Sequence, residues 1–247
     1  MGLFGRRRDS DGWEMGDGAG APPSPLDGAW THSDQPAMTS VKGDIFSGTA
    51  PAAAVAQDDP ETGLAAIKAK DPRFERDAFL GQVQRAFFLV EEAWTERNPD
   101  MSRQVMADGL WQQHRFQIES YRSGGKRNVL EGLAVDSLSI LVVHLDDQYD
   151  TITVRILARS ADYDVNDSGK VVRGSRDPEQ WAEDWTFQRA AGAVTPEAGG
   201  TLSDKCPNCG APLQLDFSGV CHYCKALVST GTYDWVLSRI AKVPRAY

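Results

Sequence analysis

Two Cys-x-x-Cys pairs restrict this 247-residue chain more than any other feature of its sequence. Two residues between the thiols allow each pair to hold one side of a metal ion, and Gly210 after the first pair permits the tight turn that this requires. Four thiolates suit tetrahedral Zn²⁺, with iron as the main competitor. The sequence therefore predicts one structural zinc ion in a small zinc ribbon. Its predicted ligands are Cys206, Cys209, Cys221 and Cys224.

Disulfides or four free thiols are the alternatives to a metal site. All the cysteines of the chain lie between 206 and 224, and such crowding favours a metal site in a reducing compartment over a disulfide framework. The 11 residues between the pairs include alternating apolar residues and Gly219, which is enough for a small hairpin. Lys225 stands where a second glycine would be expected. With four protein ligands the site is closed, so a structural role is predicted.

The charge balance bears on possible partners. The chain has 26 Lys and Arg against 35 Asp and Glu, a formal net charge of −9, which disfavours nucleic acid held by general attraction to phosphates.

No segment approaches the roughly 20 consecutive apolar residues needed to span a bilayer. The first residues, Met1–Asp9, are basic but lack the apolar run of a signal peptide. We therefore expect a cytoplasmic protein.

Composition and hydrophobic period divide the chain into four parts. Residues 1–70 are rich in Gly, Pro and Ala without a sustained period, which predicts a disordered arm. Residues 71–190 carry helical and then strand periods and are predicted to form an α+β domain. Residues 191–201 are predicted to be a linker, and residues 202–247 a zinc ribbon with a C-terminal segment.

The first half of the α+β domain has the pattern of helices. Asp71 and Pro72 suit an N-cap and a first helical position, and an apolar stripe at spacings of three and four then predicts one long amphipathic helix. The stripe comprises Leu80, Val83, Phe87, Val90 and Trp94. A short helix is predicted from Asp100. A further helix carries Leu110 to Tyr121 and ends at Gly124 and Gly125.

From about Val135 the pattern changes to the alternation of strands. Strands are predicted around Leu138–Val142, around Thr151–Val165, in a short edge strand Val171–Gly174, and in a strand with Trp181, Glu183, Trp185 and Phe187 on one face. The predicted fold class is α+β, with a curved antiparallel sheet wrapped on helices and a small C-terminal zinc ribbon.

Two blocks of sequence carry a resemblance to a known family. The first comprises Phe79-Leu80, Ala86-Phe87, Glu92-Ala93-Trp94 and Asn128–Glu131, and the second comprises Trp185–Arg189, Leu202–Leu213 and Asp234–Ile240. Together, over about residues 64–240, they resemble bacterial members of the Tim44-like domain family that end in a zinc ribbon.

The resemblance implies a cone-like domain of the nuclear-transport-factor-two-like kind, with a sheet curled over helices around a pocket. The family is named after the membrane-bound subunit that anchors the import motor at the mitochondrial inner membrane. In that relative the domain associates with anionic membrane and helps recruit a heat-shock chaperone. The family has no established catalytic residues, so the resemblance implies none here, and we expect that the protein is not an enzyme.

The expected function is therefore that of a binding or scaffold protein with a protein partner that the sequence does not identify. We expect it to be peripheral at the inner face of the membrane and linked to protein translocation or membrane-associated assembly. Arg6–Arg8 beside Leu3 and Phe4 are candidates for contact with an anionic membrane surface, although a solvated charge run is the alternative. Leu64–Lys70 is a second, short candidate.

A small-molecule pocket, with or without enzymatic activity, is the alternative function, because cone folds often enclose an apolar cavity. No nucleophile triad, phosphate loop or dinucleotide motif accompanies it. Its candidate polar residues are His114, His144, Tyr149, Asp146 and Asp147.

A nucleic-acid site on the ribbon is a third hypothesis, because such ribbons often present basic and stacking side chains. The net charge of −9 makes nucleic acid an unfavoured partner. The candidate residues are Lys205, His222, Tyr223 and Lys225.

Overall fold

The computed structural model describes residues 59–197 and 205–244. In chain order these residues form α1 (Pro60–Lys70), α2 (Arg76–Thr95), a short 3-10 helix (Pro99–Ser102), α3 (Asp108–Ser123), β1 (Lys126–Leu145), β2 (Tyr149–Asn166), β3 (Val171–Ala190) and β4 (Val236–Lys242). The greater part of the predicted disordered arm, with its arginine run Arg6–Arg8, lies outside the described residues.

The strands form one antiparallel sheet in the order β1-β2-β3-β4. β1 and β2 pair from Lys126 opposite Asn166 to Leu145 opposite Asp150, and the register shifts at three places along this ladder. Such bulges bend and twist a sheet. The predicted α+β class with a curved antiparallel sheet is confirmed.

The helices pack on one face of the sheet, where aromatic rings fill the core. The ring of Phe79 on α2 meets Phe187 edge-on at 5.7 Å between centroids, and Phe87 lies 5.5 Å from Trp185. Trp181, Trp185 and Phe187 are buried on the same face of β3, because alternate residues of a strand point to the same side. The concave face of the sheet is thus covered by packed side chains.

Helix α1 lies within the range 1–70 that was predicted to be disordered, so the folded domain begins earlier than expected. The side chain of Asp59 caps the helix by accepting from the N–H groups of Glu61 and Thr62. Leu64 and Ile67 are buried in the main core. This packing, which composition does not reveal, is what stabilises so short a helix.

Asp71 ends α1 and does not start α2, which corrects the predicted N-cap. Its N–H donates to the carbonyl of Ile67 as the C-cap of α1, and α2 begins only at Arg76. The Asp71 carboxylate instead accepts from Arg189 Nη1 at 2.7 Å and from the N–H of Thr195 at 2.8 Å. The start of the predicted linker is therefore held against the domain.

Arg189, which is fully buried, lies between two buried carboxylates. Its Nη1 is 2.7 Å from Asp71 Oδ2, and its Nη2 is 3.7 Å from Asp150 Oδ2. Its guanidinium also stacks on the Trp235 ring at 4.6 Å. Burial opposes ionisation of Asp71, but hydrogen bonds from Thr195 and Arg189 outweigh it and lower the pKa of this carboxyl. The network joins α1, β2, β3 and the segment before β4.

Two strands are longer than predicted. β1 begins at Lys126, well before Val135, and the predicted edge strand Val171–Gly174 is continuous with the strand that carries Trp181. Residues 175–180 are exposed on both faces of β3. Because neither face of that stretch is buried, it lacks the apolar alternation from which strands are predicted.

β4 returns the chain to the sheet after the cysteines. Leu237 is buried in the main core, and its N–H and carbonyl pair with the carbonyl of Val105 and the N–H of Ala107, each at 2.8 Å. The predicted C-terminal part, residues 202–247, therefore divides in two. Residues 205–229, here called the cysteine module, form an insertion between β3 and β4, and the last strand belongs to the α+β domain.

Candidate functional site

The four cysteine thiols lie together in the cysteine module. Their Sγ atoms are all within 4.8 Å of one another, and those of Cys206 and Cys224 are 3.8 Å apart. Four sulfurs placed tetrahedrally around zinc, each at about 2.3 Å from the ion, would be about 3.8 Å from one another. The four residues predicted as ligands could therefore hold a metal ion.

The two cysteine pairs have the same backbone geometry. The N–H of Gly210 donates to the carbonyl of Cys206 at 2.8 Å, and the N–H of Lys225 donates to the carbonyl of Cys221 at 3.0 Å. The N–H groups of Cys206 and Cys221 in turn donate to carbonyls five positions further along the chain, at 2.8 and 2.9 Å. Each pair is thus closed by the same turn, as their common spacing predicts.

The residue after each pair has a left-handed backbone. Gly210 has a φ of 70° and Lys225 a φ of 61°. Glycine adopts this region without a steric penalty, whereas the Cβ of an L-residue makes it unfavourable. The second turn therefore forms without a glycine, and the unfavourable backbone conformation of Lys225 lowers the free energy of unfolding.

A tight turn connects the two pairs, as predicted. The N–H of Asp216 donates to the carbonyl of Val220 at 3.0 Å, and Asp216 Oδ1 accepts from the N–H groups of Ser218 at 2.9 Å and Val220 at 3.0 Å. The turn folds the intervening chain back onto the thiols. The small core of the module consists of Cys206, Cys221 and Val228, with Leu213, Leu215 and Cys224 packed against it.

The four thiols differ in their surroundings. Cys206 and Cys221 are buried, whereas Cys209 is exposed. Burial raises the pKa of the Cys206 thiol, and a hydrogen bond from Asn208 Nδ2, 3.4 Å from Cys224 Sγ, lowers the pKa of Cys224. The pKa values of Cys206 and Cys224 are thus shifted in opposite directions by their surroundings.

Arg103 attaches the cysteine module to the helices. This side chain is 4% exposed. Its Nε donates to the carbonyl of Phe217 at 3.2 Å, and its Nη2 donates to Ser229 Oγ at 3.2 Å and to Asp108 Oδ1 at 2.9 Å. Its guanidinium also lies 4.6 Å from the centre of the Trp111 ring. One side chain thus joins the start of α3 to the connection between the two cysteine pairs and to the end of the module, at Ser229.

The role of Arg103 was not predicted from the sequence. Its partners in the module are 114 and 126 positions away along the chain, so no local motif marks it. The sequence offered one sign of its burial, an arginine two positions before the apolar pair Val105 and Met106. Both of these residues are buried in the structure.

A groove of about 540 Å³ lies between the 3-10 helix, α3 and the cysteine module. Trp111 and Phe217 meet edge-on in its wall, with their ring centroids 5.2 Å apart. The guanidinium of Arg115 lies 4.6 Å from the centre of the Phe217 ring. The groove was not predicted, because it forms only where α3 meets the module.

His114, one of the predicted pocket residues, is fully buried on α3. Its ring lies 6.3 Å from that of Trp94 on α2. Burial lowers the pKa of His114 to about 3. This residue is therefore part of the helical core, as a neutral imidazole.

The other predicted pocket residues lie at the turn between β1 and β2. His144 Nε2 is 3.8 Å from Asp146 Oδ2, and Asp146 Oδ1 accepts from the N–H groups of Gln148 and Tyr149. Asp147 is exposed in the same turn. These residues and His114 thus lie in two separate places, and none of them lines the groove.

The second candidate for membrane contact is folded into the domain. Leu64 and Ile67 of α1 are buried, and the Nζ atoms of its two lysines, Lys68 and Lys70, form ion pairs with Glu75 and Asp150. Within residues 59–197 and 205–244, no helix is both long enough and apolar enough to cross a bilayer.

The residues proposed to bind nucleic acid are exposed on the module: Lys205, His222, Tyr223 and Lys225.

Comparison with known proteins covers the elements from α1 to β3. A family model described as a Tim44-like domain matches residues 61–198, which is more than half of the chain. The match begins in α1 and stops before the cysteines, so it includes neither the module nor β4. No curated protein matches the chain.

Proposed function

The chain belongs to the Tim44-like domain family, and on that premise we propose that it is a non-enzymatic scaffold that binds a protein partner at a membrane surface. The process would be protein translocation or another membrane-associated assembly, at the inner face of the membrane. The family match over α1 to β3 is the observation that carries this proposal.

The packing of the sheet supports binding at the surface over chemistry in an interior pocket. The concave face, where a cone fold would enclose a ligand, is occupied by packed rings, and Trp185 and Phe87 are both fully buried there. The alternative of a small-molecule pocket has less support, because its candidate residues, His114 and the group around His144, lie apart from each other.

Flotation with lipid vesicles tests the membrane part of the proposal. The full chain should float with phosphatidylcholine vesicles that contain phosphatidylglycerol and should stay at the bottom with phosphatidylcholine alone. A variant with Arg6→Glu, Arg7→Glu and Arg8→Glu should float less, because each basic residue near an anionic surface contributes about 1 kcal/mol.

A matched control changes the same total charge elsewhere. Arg85, Lys170 and Arg239 are exposed in the folded part. Their replacement by Glu should reduce flotation less than the replacement of Arg6, Arg7 and Arg8 does. If the natural chain stays at the bottom with anionic lipid at low salt, membrane binding is refuted.

Binding to native membrane vesicles tests whether the chain has a protein partner at the membrane. The chain should bind vesicles prepared from cell membranes more tightly than vesicles of their extracted lipids, and protease treatment of the membranes should remove the difference. Equal binding to intact and protease-treated membranes would contradict a protein partner.

We also propose that the four cysteines hold one zinc ion in a structural role. The supporting observation is the cluster of four thiols, whose Sγ atoms lie within 4.8 Å of one another and of which Cys206 and Cys221 are fully buried. When bound, the ion would supply folding free energy of about 10 kcal/mol or more to a module too small to be stable alone. Because four protein ligands leave no open position, the ion would have no catalytic role.

Native mass spectrometry with metal analysis tests this assignment. The full chain should carry one zinc ion per molecule, and Cys224→Ser should lower the occupancy sharply. If the protein is coloured and carries one iron ion per molecule, the site binds iron and the assignment of zinc is wrong. Metal-free protein with four freely alkylated thiols under native conditions would refute the site itself.

A further inference from the structure

We propose that the groove between α3 and the cysteine module binds an extended peptide segment of a partner protein, with an apolar side chain at the Trp111 end and a carboxylate at the Arg122 end. This inference rests on the proposed scaffold function, since it identifies the surface that such a function would use and the chemistry of what it binds.

The length of the groove suits a short extended segment. Trp111 and Arg122, which both line the groove, are 11 positions apart on α3, or about 16 Å along a helix axis. An extended chain rises about 3.3 Å per residue, so the groove spans about five residues of a bound peptide.

The Trp111 end of the groove presents one rigid, half-exposed aromatic ring. Phe217 is 55% exposed, yet its ring is fixed by the edge-on contact with Trp111 and by the Arg115 guanidinium stacked on it. Leu213 and Leu215 continue this wall of the groove. Trp111 itself is fully buried, so Phe217 presents the ring that a peptide would contact. Rigid, exposed aromatic side chains are the usual anchors of protein interfaces.

The charges are separated along the groove. The guanidinium of Arg115 pairs with Glu119 at 2.7 Å, and Arg103 pairs with Asp108 at 2.9 Å. Arg122 is exposed in the groove, and the described part of the chain offers its guanidinium no ion-pair partner. This end of the groove therefore attracts a carboxylate.

The opposite end carries negative charge. Asp100 and Asp216 both line the groove. Asp216 precedes Phe217, and Asp100 follows Pro99, whose carbonyl accepts from Trp111 Nε1 at 2.8 Å. A carboxylate of the peptide is thus repelled from the Trp111 end, which sets one orientation for the bound segment.

The cysteine module forms one wall, so binding should depend on the metal. Leu213, Leu215 and Phe217 all lie between the two cysteine pairs, and the fold of that stretch depends on the turns closed around the thiols. Removal of the metal should therefore abolish peptide binding, because unfolded loops do not present a fixed surface.

Fluorescence anisotropy with defined peptides tests the inference on the full, metal-loaded chain. The probes are short Gly/Ser peptides that carry one Phe and one Glu, in either order and about two to five residues apart. We expect binding in one order only, and weaker binding when Lys replaces Glu or Ala replaces Phe.

Two matched variants separate the groove from general electrostatics. Arg122→Glu should weaken binding of the best peptide about tenfold, or about 1.4 kcal/mol. Arg85→Glu, at an exposed arginine on α2 outside the groove, should leave the affinity unchanged. Phe217→Ala should also abolish binding, and unfolding curves of all three variants should match that of the natural chain.

The inference is overturned if no Phe/Glu peptide binds more tightly than its Lys counterpart, or if Arg122→Glu and Arg85→Glu have the same affinity. Persistence of binding after chelation, with all four thiols titrating as free, would also overturn it. These failures are distinguishable from failure of the scaffold function, because binding of the chain to native membrane vesicles does not use the peptides and would remain.

Discussion

The burial of His114 predicts that the protein loses stability in mild acid. In the folded chain the pKa of this imidazole is lowered to about 3, whereas in the unfolded chain a histidine has a pKa of about 6.5. Below about pH 6.5 the unfolded state therefore binds a proton that the folded state does not. The stability contributed by neutral His114 is thus fully present above about pH 6.5 and falls as the pH approaches 3.

The size of the effect follows from the two pKa values. Between about pH 7.5 and about pH 5 the unfolded histidine becomes almost fully protonated while His114 stays neutral, which lowers the free energy of unfolding by about 2 kcal/mol. Urea unfolding, followed by tryptophan fluorescence at both pH values, measures this loss.

His114→Leu isolates the contribution of this residue, because it fills a similar volume and does not titrate. The loss of stability between the two pH values should be about 2 kcal/mol smaller in this variant than in the natural chain. His144→Leu, which changes a histidine at the β1–β2 turn, is the control and should keep most of the loss. Other groups that respond to acid, such as the Asp71 carboxyl, are common to all three proteins. Equal losses in the natural chain and in His114→Leu would refute the assignment of a buried neutral imidazole.

Three further substitutions and one control test the packing of the domain and of the cysteine module. Lys225→Gly should raise the free energy of unfolding of the metal-loaded protein by about 1 kcal/mol in urea titrations, because it removes an L-residue from a left-handed turn. Gly63→Ala should lower the thermal midpoint, since the new Cβ would lie 2.5 Å from the Cβ of Val143 and the overpacking costs about 1–3 kcal/mol; Gly81→Ala on α2, whose nearest contact would be 3.6 Å away, should raise it. Arg189→Met should cost about 3–5 kcal/mol in the same titrations, because it leaves the buried carboxylate of Asp71 without its cation; an unchanged midpoint would contradict the buried ion pair.

Features that depend on neighbouring residues were predicted from the sequence. The cysteine spacing indicated the metal-binding geometry, because each pair closes its own turn. The apolar stripe from Leu80 to Trp94 indicated α2, and Gly124 the end of α3. Each of these depends on residues a few positions apart.

Features that depend on distant contacts were not predicted. Helix α1 is stabilised by burial of Leu64 and Ile67, and its composition resembles that of the arm before it. The exposed stretch of β3 carries no apolar alternation. The groove lies between segments that are more than a hundred residues apart in the chain and that Arg103 joins.

The order of β3, cysteine module and β4 has a consequence for how metal and domain depend on each other. An appended ribbon could unfold without disturbing the domain, whereas this module is inserted ahead of a strand whose Leu237 and Ile240 complete the main core. When the module unfolds, residues 205–229 become part of a flexible loop between β3 and β4, and the entropic cost of closing a loop rises by about 0.6 kcal/mol for each doubling of its length. The contacts of Arg103 with Phe217 and Ser229 are lost at the same time. If the module holds a metal ion as proposed, loss of the ion should therefore loosen β4 and the edge of the sheet as well as the module. The module, the groove and the sheet edge should then unfold as one cooperative unit.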